Sequence, residues 1–224
     1  MNSVLKQFDK DGALEETAEL ASSALTRGGL LKRAGAGAAV VAGGSAFAGL
    51  MPAIAKAGRL PDGDVAILNF ALTLEYLEAA FYNEAKTSGA LKGETLRFAH
   101  VVSQHEASHV AFLQQVLGTR AGPKPLFDFK GTTKDQAKFQ ATADVLENTG
   151  VHAYLGQVPN IKTPAVLVGA GRILPVEARH AAWMRDIRFH GGTSSPTTPA
   201  PGAFEDGFSK DKILAAVTAT GFIR

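Results

Sequence analysis

Two glutamate–histidine pairs carry the first chemical signal in this 224-residue chain: Glu106 with His109, and Glu177 with His180. Residues three apart on a helix lie on one face, so each pair can present an oxygen and a nitrogen to a common point. A further glutamate precedes each pair at nearly the same interval, Glu75 by 31 residues (75 to 106) and Glu147 by 30 (147 to 177). Four carboxylates and two imidazoles are thereby offered to one layer of a protein interior. An ionised carboxylate moved from water into a core costs several kcal/mol even after relaxation, so such a layer calls for cations. Two divalent ions balance the four glutamates. Oxygen and imidazole donors suit iron or manganese and also admit zinc. The chain has no cysteine, which removes thiolate zinc sites, iron–sulfur clusters and thiol chemistry.

The elements that must position these residues follow from the apolar spacing. Leu68, Ala71, Leu72, Leu74 and Leu77 recur at threes and fours, the period of an amphipathic helix. The same reading predicts four long helices at about 64–87, 93–118, 133–157 and 163–190, separated by Ser88-Gly89, by Gly118 through Pro125, and by Pro159-Asn160 with Pro164. These form two hairpins. The Gly- and Pro-rich stretch between them is long enough to run the length of a bundle about 40 Å tall. The hairpins also repeat each other: Leu74-Glu75, Tyr82 and Glu106-Ala107-Ser108-His109 are matched by Leu146-Glu147, Tyr154 and Glu177-Ala178-Arg179-His180. One structural unit is used twice. The expected fold is all-α, a four-helix bundle with a long crossover. After it come a flexible tether and a short last helix near 209–219, with Ser209 as its cap.

One glutamate from each of two helices, plus Glu-x-x-His from each of the other two, resembles the ferritin-like di-iron and di-manganese carboxylate proteins. The text from NFALTLEYLEAAFYNEA through LPVEARHAAWMR is similar to an exported bacterial branch of that superfamily related to plant desiccation-associated proteins. The resemblance covers about residues 64–190. It implies that Glu106 and Glu177 bridge two metal ions, that Glu75 and Glu147 are terminal ligands, and that His109 and His180 each bind one ion through a ring nitrogen. The activity it implies is redox chemistry with dioxygen or peroxide, as a ferroxidase, an oxidase or a manganese catalase-like enzyme. The alternative is a non-catalytic stress or desiccation protein whose metal is structural or absent. Iron storage in a cage is a weaker third reading, for no shell-forming interface is recognisable.

Several neighbours compete for roles. Glu78 lies one turn beyond Glu75, but the repeat aligns it with Gly150, which favours Glu75 as the ligand. Tyr82 and Tyr154 read as core residues with a relay role as the alternative, and Phe112 and Trp183 read as packing. His105 and His152 fall on other helix faces, which favours a surface role over support of the site. Pro175, with Gly169 and Gly171, is placed to kink the fourth helix or to be tolerated there.

The remaining features bound partners and location. The net charge of +2 argues against nucleic acid as a partner. Residues 34–55, AGAGAAVVAGGSAFAGLMPAIA, are uncharged and follow Arg27, Lys32 and Arg33. Ala53, Ala55 and Ala57 offer A-x-A cleavage sites, so export with cleavage is favoured over a permanent anchor. Thr26 through Lys32 resembles a twin-arginine signal in which Gly28 replaces the second arginine, with a general secretory signal as the alternative. The expected organisation is a targeting segment at 1–57, a bundle at 58–190 and a tail at 191–224. The expected location is the periplasm, cell envelope or exterior. The expected partners are metal ions, oxygen or peroxide, the export machinery in passing, and further copies of the chain in a homo-oligomer.

Overall fold

The computed structural model describes residues 50–224. The twin-arginine-like stretch and residues 34–49 of the apolar run lie outside the described residues. Six α-helices occur among those described: α1 Met51–Lys56, α2 Asp62–Thr87, α3 Gly93–Leu117, α4 Gln136–Gln157, α5 Pro164–Phe189 and α6 Lys210–Thr220. The described residues are all-α, and among them one isolated bridge pairs Phe127 with Ile223.

Each long helix starts and stops where its local chemistry requires. Asp62 and Asp64 lie in the first turn of α2 and Lys86 in its last, as the helix dipole favours. The third long helix begins at Gln136, three residues after the position expected from periodicity. Asp135 is the reason: its backbone is extended, and its carboxylate accepts from the Lys138 N–H at 2.8 Å, which fixes the cap there and leaves Thr132–Lys134 as a separate 3₁₀ turn. α5 runs without interruption through Pro175. Its start is held by Asp64, fully buried, which accepts from the N–H groups of Lys162 and Thr163 at 2.9 and 2.8 Å. One carboxylate of the first hairpin thus anchors the chain that leads into the last long helix of the second.

Two apolar clusters fix the direction of the helices. At one end, Leu68 and Leu72 of α2 pack with Phe112 and Leu113 of α3, Tyr154 of α4 and Ile173 of α5. At the other, Phe81 and Tyr82 pack with Phe98, Phe139 and Met184. α2 and α5 therefore run one way, α3 and α4 the other, and the connection from Leu117 to Gln136 crosses the full length of the bundle. Asn69 anchors its start, donating to the Arg120 carbonyl and accepting from the Gly122 N–H. The C-terminal end straps its middle, with Asp128 N–H donating to Phe222 O at 2.8 Å and Arg224 N–H to Leu126 O at 2.9 Å.

The tail packs on the bundle. Ser209 caps α6 by accepting from the Lys212 N–H, and Ile213, Val217 and Phe222 join the core around Phe81. Just before it, the chain passes so close to α4 that a Cβ on Gly156 would lie 2.0 Å from the Phe208 carbonyl oxygen. At the other terminus of the described chain, Leu50 and Ile54 of the short α1 region are buried against the opposite end of the bundle. Ala53, Ala55 and Ala57 remain exposed.

Candidate metal centre

Between the two apolar clusters lies a polar layer. Glu75, Glu106, Glu147 and Glu177 are each fully buried there, with His109 4% and His180 3% exposed. The helices deliver them as the three-residue spacing requires: Glu106 and His109 from α3, Glu177 and His180 from α5, and single glutamates from α2 and α4. The six fall into two overlapping groups. Glu75, Glu106, His109 and Glu177 form one, and Glu106, Glu147, Glu177 and His180 the other, with the donor atoms of each group all within 4.8 Å of one another. Glu106 and Glu177 belong to both.

The distances show why hydrogen bonds alone do not account for this layer. His109 Nδ1 lies 3.2 Å from Glu75 Oε2, 3.1 Å from Glu106 Oε2 and 3.1 Å from Glu177 Oε1. His180 Nδ1 lies 3.2 Å from Glu106 Oε1 and 3.1 Å from Glu147 Oε2. A ring nitrogen carries at most one hydrogen, so neither can satisfy the oxygens around it. Glu106 Oε1 and both oxygens of Glu177 are buried and accept no well-aligned hydrogen bond, although a histidine Nδ1 lies close to the first and to Glu177 Oε1. Buried carboxylate oxygens of this kind are costly unless a cation holds them. The orphaned oxygens belong to the two residues common to both groups, and the donor set is oxygen and imidazole. The residues present therefore fit a pair of hard or borderline divalent ions, and the cluster is compatible with a dinuclear metal site.

Electrostatics tells the same story. Burial pushes the Glu75 carboxyl up to about 7, with His109 opposing and Glu106 adding to the effect. Burial, then repulsion from Glu106 and Glu75, drives Glu177 well above the ordinary range. Burial would raise Glu106 too, but His109 and His180 beside it hold it low. Burial disfavours both imidazolium ions, yet Glu75 and Glu106 raise His109 well above its usual value, and Glu147 with Glu106 raises His180 to about 11. Without metal, this layer can stay buried only by retaining protons.

The surroundings hold features the sequence did not settle. Tyr82 donates to Glu147 Oε1 and Tyr154 donates to Glu75 Oε1, the latter at 2.5 Å. Each tyrosine thus serves the glutamate of the opposite hairpin. Both are buried and packed as expected, and both orient a site carboxylate, which their matching places in the repeat hinted at. His105 is exposed, as the sequence suggests, but its ring also reaches inward. Its Nδ1 lies 2.8 Å from His180 Nε2, and the two rings stack with centroids 5.1 Å apart. His152 is unconnected to the site. It donates from Nδ1 to the Asp206 carbonyl oxygen and stacks on Phe208. Phe112 and Trp183 pack, and the Trp183 indole donates to Glu94 at 3.0 Å. Glu78 does not displace Glu75 from the cluster. It is buried beside it, 3% exposed.

Residues 63–190 match the family model described as ferritin-like domain, a span that contains all six of these residues. No curated protein matches the chain.

Proposed function

Starting from a chain that belongs to the ferritin-like domain family, we propose that it binds a dinuclear centre of iron or manganese and performs redox chemistry with dioxygen or peroxide. The observation that carries this reading is the pair of ligand groups sharing Glu106 and Glu177, whose orphaned oxygens are those of the shared residues. Glu75 and His109 would hold one ion, Glu147 and His180 the other, and Glu106 with Glu177 would serve both. When bound, two such ions supply paired electron-transfer steps and open positions for a small oxidant.

The protein's own contribution is to fix and insulate these donors. Tyr82 and Tyr154 hold Glu147 and Glu75 by hydrogen bonds from opposite hairpins, so each terminal carboxylate is oriented by the half of the molecule that did not supply it. His180 turns Nδ1 toward the carboxylates and Nε2 toward His105 Nδ1. Ligation through Nδ1 would require the ring proton on Nε2, where His105 Nδ1, 2.8 Å away, would accept it. Leu72, Leu77, Phe81, Phe98 and Leu113, each no more than 1% exposed, keep water from the layer on both sides.

The test is to load the metal-free full chain separately with iron(II), manganese(II) and zinc(II), then follow dioxygen and peroxide consumption. Turnover with iron or manganese and none with zinc supports the redox reading. Two bound ions with no consumption of either oxidant would move the assignment to a structural metal in a non-catalytic stress protein.

A further inference from the structure

The two hairpins repeat each other at all six positions of the cluster, and they differ one turn past the first glutamate of each. Glu78 follows Glu75 on α2, and Gly150 follows Glu147 on α4. The structure shows what the difference accomplishes. A Cβ placed on Gly150 would lie 3.3 Å from Glu177 Oε2 and 3.5 Å from Glu78 Oε1. A side chain at 150 would therefore crowd two carboxylate oxygens, one from α2 and one from α5, that border the same space. Glu177 Oε2 is one of the buried oxygens with no donor. Glu78 is 3% exposed and its Oε1 reaches from α2 to α4 at Gly150.

We propose that Glu78 is a seventh ligand of the centre, adding its carboxylate to the ion held by Glu147 and His180 and making the two metal positions inequivalent. The inference rests on the dinuclear reading of the other six residues. A buried carboxylate that shares this space with an orphaned oxygen of Glu177 is stabilised by a cation placed between them, and a side chain of Glu78's length reaches that place from α2 because position 150 has none. The counterpart ion, near Glu75 and His109, gains no such ligand. One position thus carries an extra negative donor, which favours the more highly charged or harder cation there.

Cobalt(II) is the probe, because its visible absorption reports coordination number and donor set independently of turnover. Metal-free full-length protein, Glu78→Gln and Glu78→Asp are titrated with cobalt(II), following heat and absorption, after circular dichroism has confirmed the fold of each. The wild type is expected to take two ions with distinguishable affinities. Glu78→Gln is expected to weaken one of them by at least about tenfold and change its absorption while leaving the other unmoved. Glu78→Asp keeps the charge but is one methylene shorter, and it is expected to resemble Gln in the spectrum. If both variants bind two ions with wild-type affinities and spectra, Glu78 is not a ligand and the six-residue reading survives. If Gln weakens one ion while the absorption of both sites stays as in the wild type, Glu78 acts by charge alone and the ligand assignment is overturned. If the wild type binds no cobalt, the dinuclear reading itself fails, and this inference with it.

Discussion

Raising the pH should destabilise the metal-free protein, and the size of the effect follows from the buried layer. The Glu75 carboxyl is pushed from its ordinary 4.5 up to about 7 in the folded chain. Between those values the folded state keeps a proton that the unfolded state has lost. Stability then falls with rising pH by about 1.4 kcal/mol per unit for one such proton, or about 3 kcal/mol across the interval. Glu78 and Glu177 are raised as well and act in the same direction. His109 and His180 are raised above 6.5, His180 to about 11, so their contribution is complete below pH 6.5 and is lost as pH climbs toward the folded values. Glu106 is lowered and has the opposite sign, but its window lies below its ordinary 4.5. Urea unfolding of chelator-treated protein at pH 5, 6, 7 and 8 should therefore show the midpoint falling steadily. Glu75→Gln, which keeps the acceptor for Tyr154, should flatten the slope by about one proton's worth. Loading with manganese(II) should abolish or reverse the slope, because bound metal takes the place of the protons. A midpoint that is flat or rises with pH in the metal-free protein would refute the argument that protons replace cations in this layer.

Other consequences are independent of that titration. Tyr82→Phe and Tyr154→Phe each remove one buried hydrogen bond to a site carboxylate. Each should cost about 1–2 kcal/mol in chemical denaturation, and the two costs should be similar because the repeat places them equivalently. Gly156→Ala puts a methyl group where the Phe208 carbonyl sits. It should lift the tail from α4 and speed proteolysis between residues 191 and 209, with far-ultraviolet circular dichroism nearly unchanged. Phe81→Ala empties a fully buried position between Phe139, Phe129 and Tyr82 and should lower the unfolding free energy by about 3–5 kcal/mol.

Much of this architecture was legible in the chain because it depends on short-range rules. The three-and-four spacing of apolar residues located the four long helices, and Ser209 marked the start of the last. The gathering of the six candidate ligands into one buried layer was legible for a related reason: a three-residue spacing fixes a shared face, and a repeat doubles the constraint. What escaped depends on contacts between distant segments. Periodicity alone carried the third helix back to 133, past the cap that Asp135 makes with Lys138. The crosswise pairing of Tyr82 with Glu147 and of Tyr154 with Glu75 needs the two hairpins to be docked before it exists. His105 falls on a different helix face from Glu106, yet its ring is long enough to reach His180. Glu78 was set against Glu75 as a rival, whereas the bundle accommodates both, and the signal that could have shown this was present. A glycine at the repeat-related position 150 leaves space that a longer side chain from across the core can fill.

The most direct test of the central claim is to count ions. Full-length protein stripped with chelator, reconstituted with iron(II) without oxygen or with manganese(II), and desalted should carry two ions per chain by native mass spectrometry and elemental analysis. Glu106→Ala combined with Glu177→Ala should carry none. Retention of two ions by that double variant, or failure of the unmodified chain to bind either metal, would contradict the assignment of Glu75, Glu106, His109, Glu147, Glu177 and His180 as a dinuclear centre.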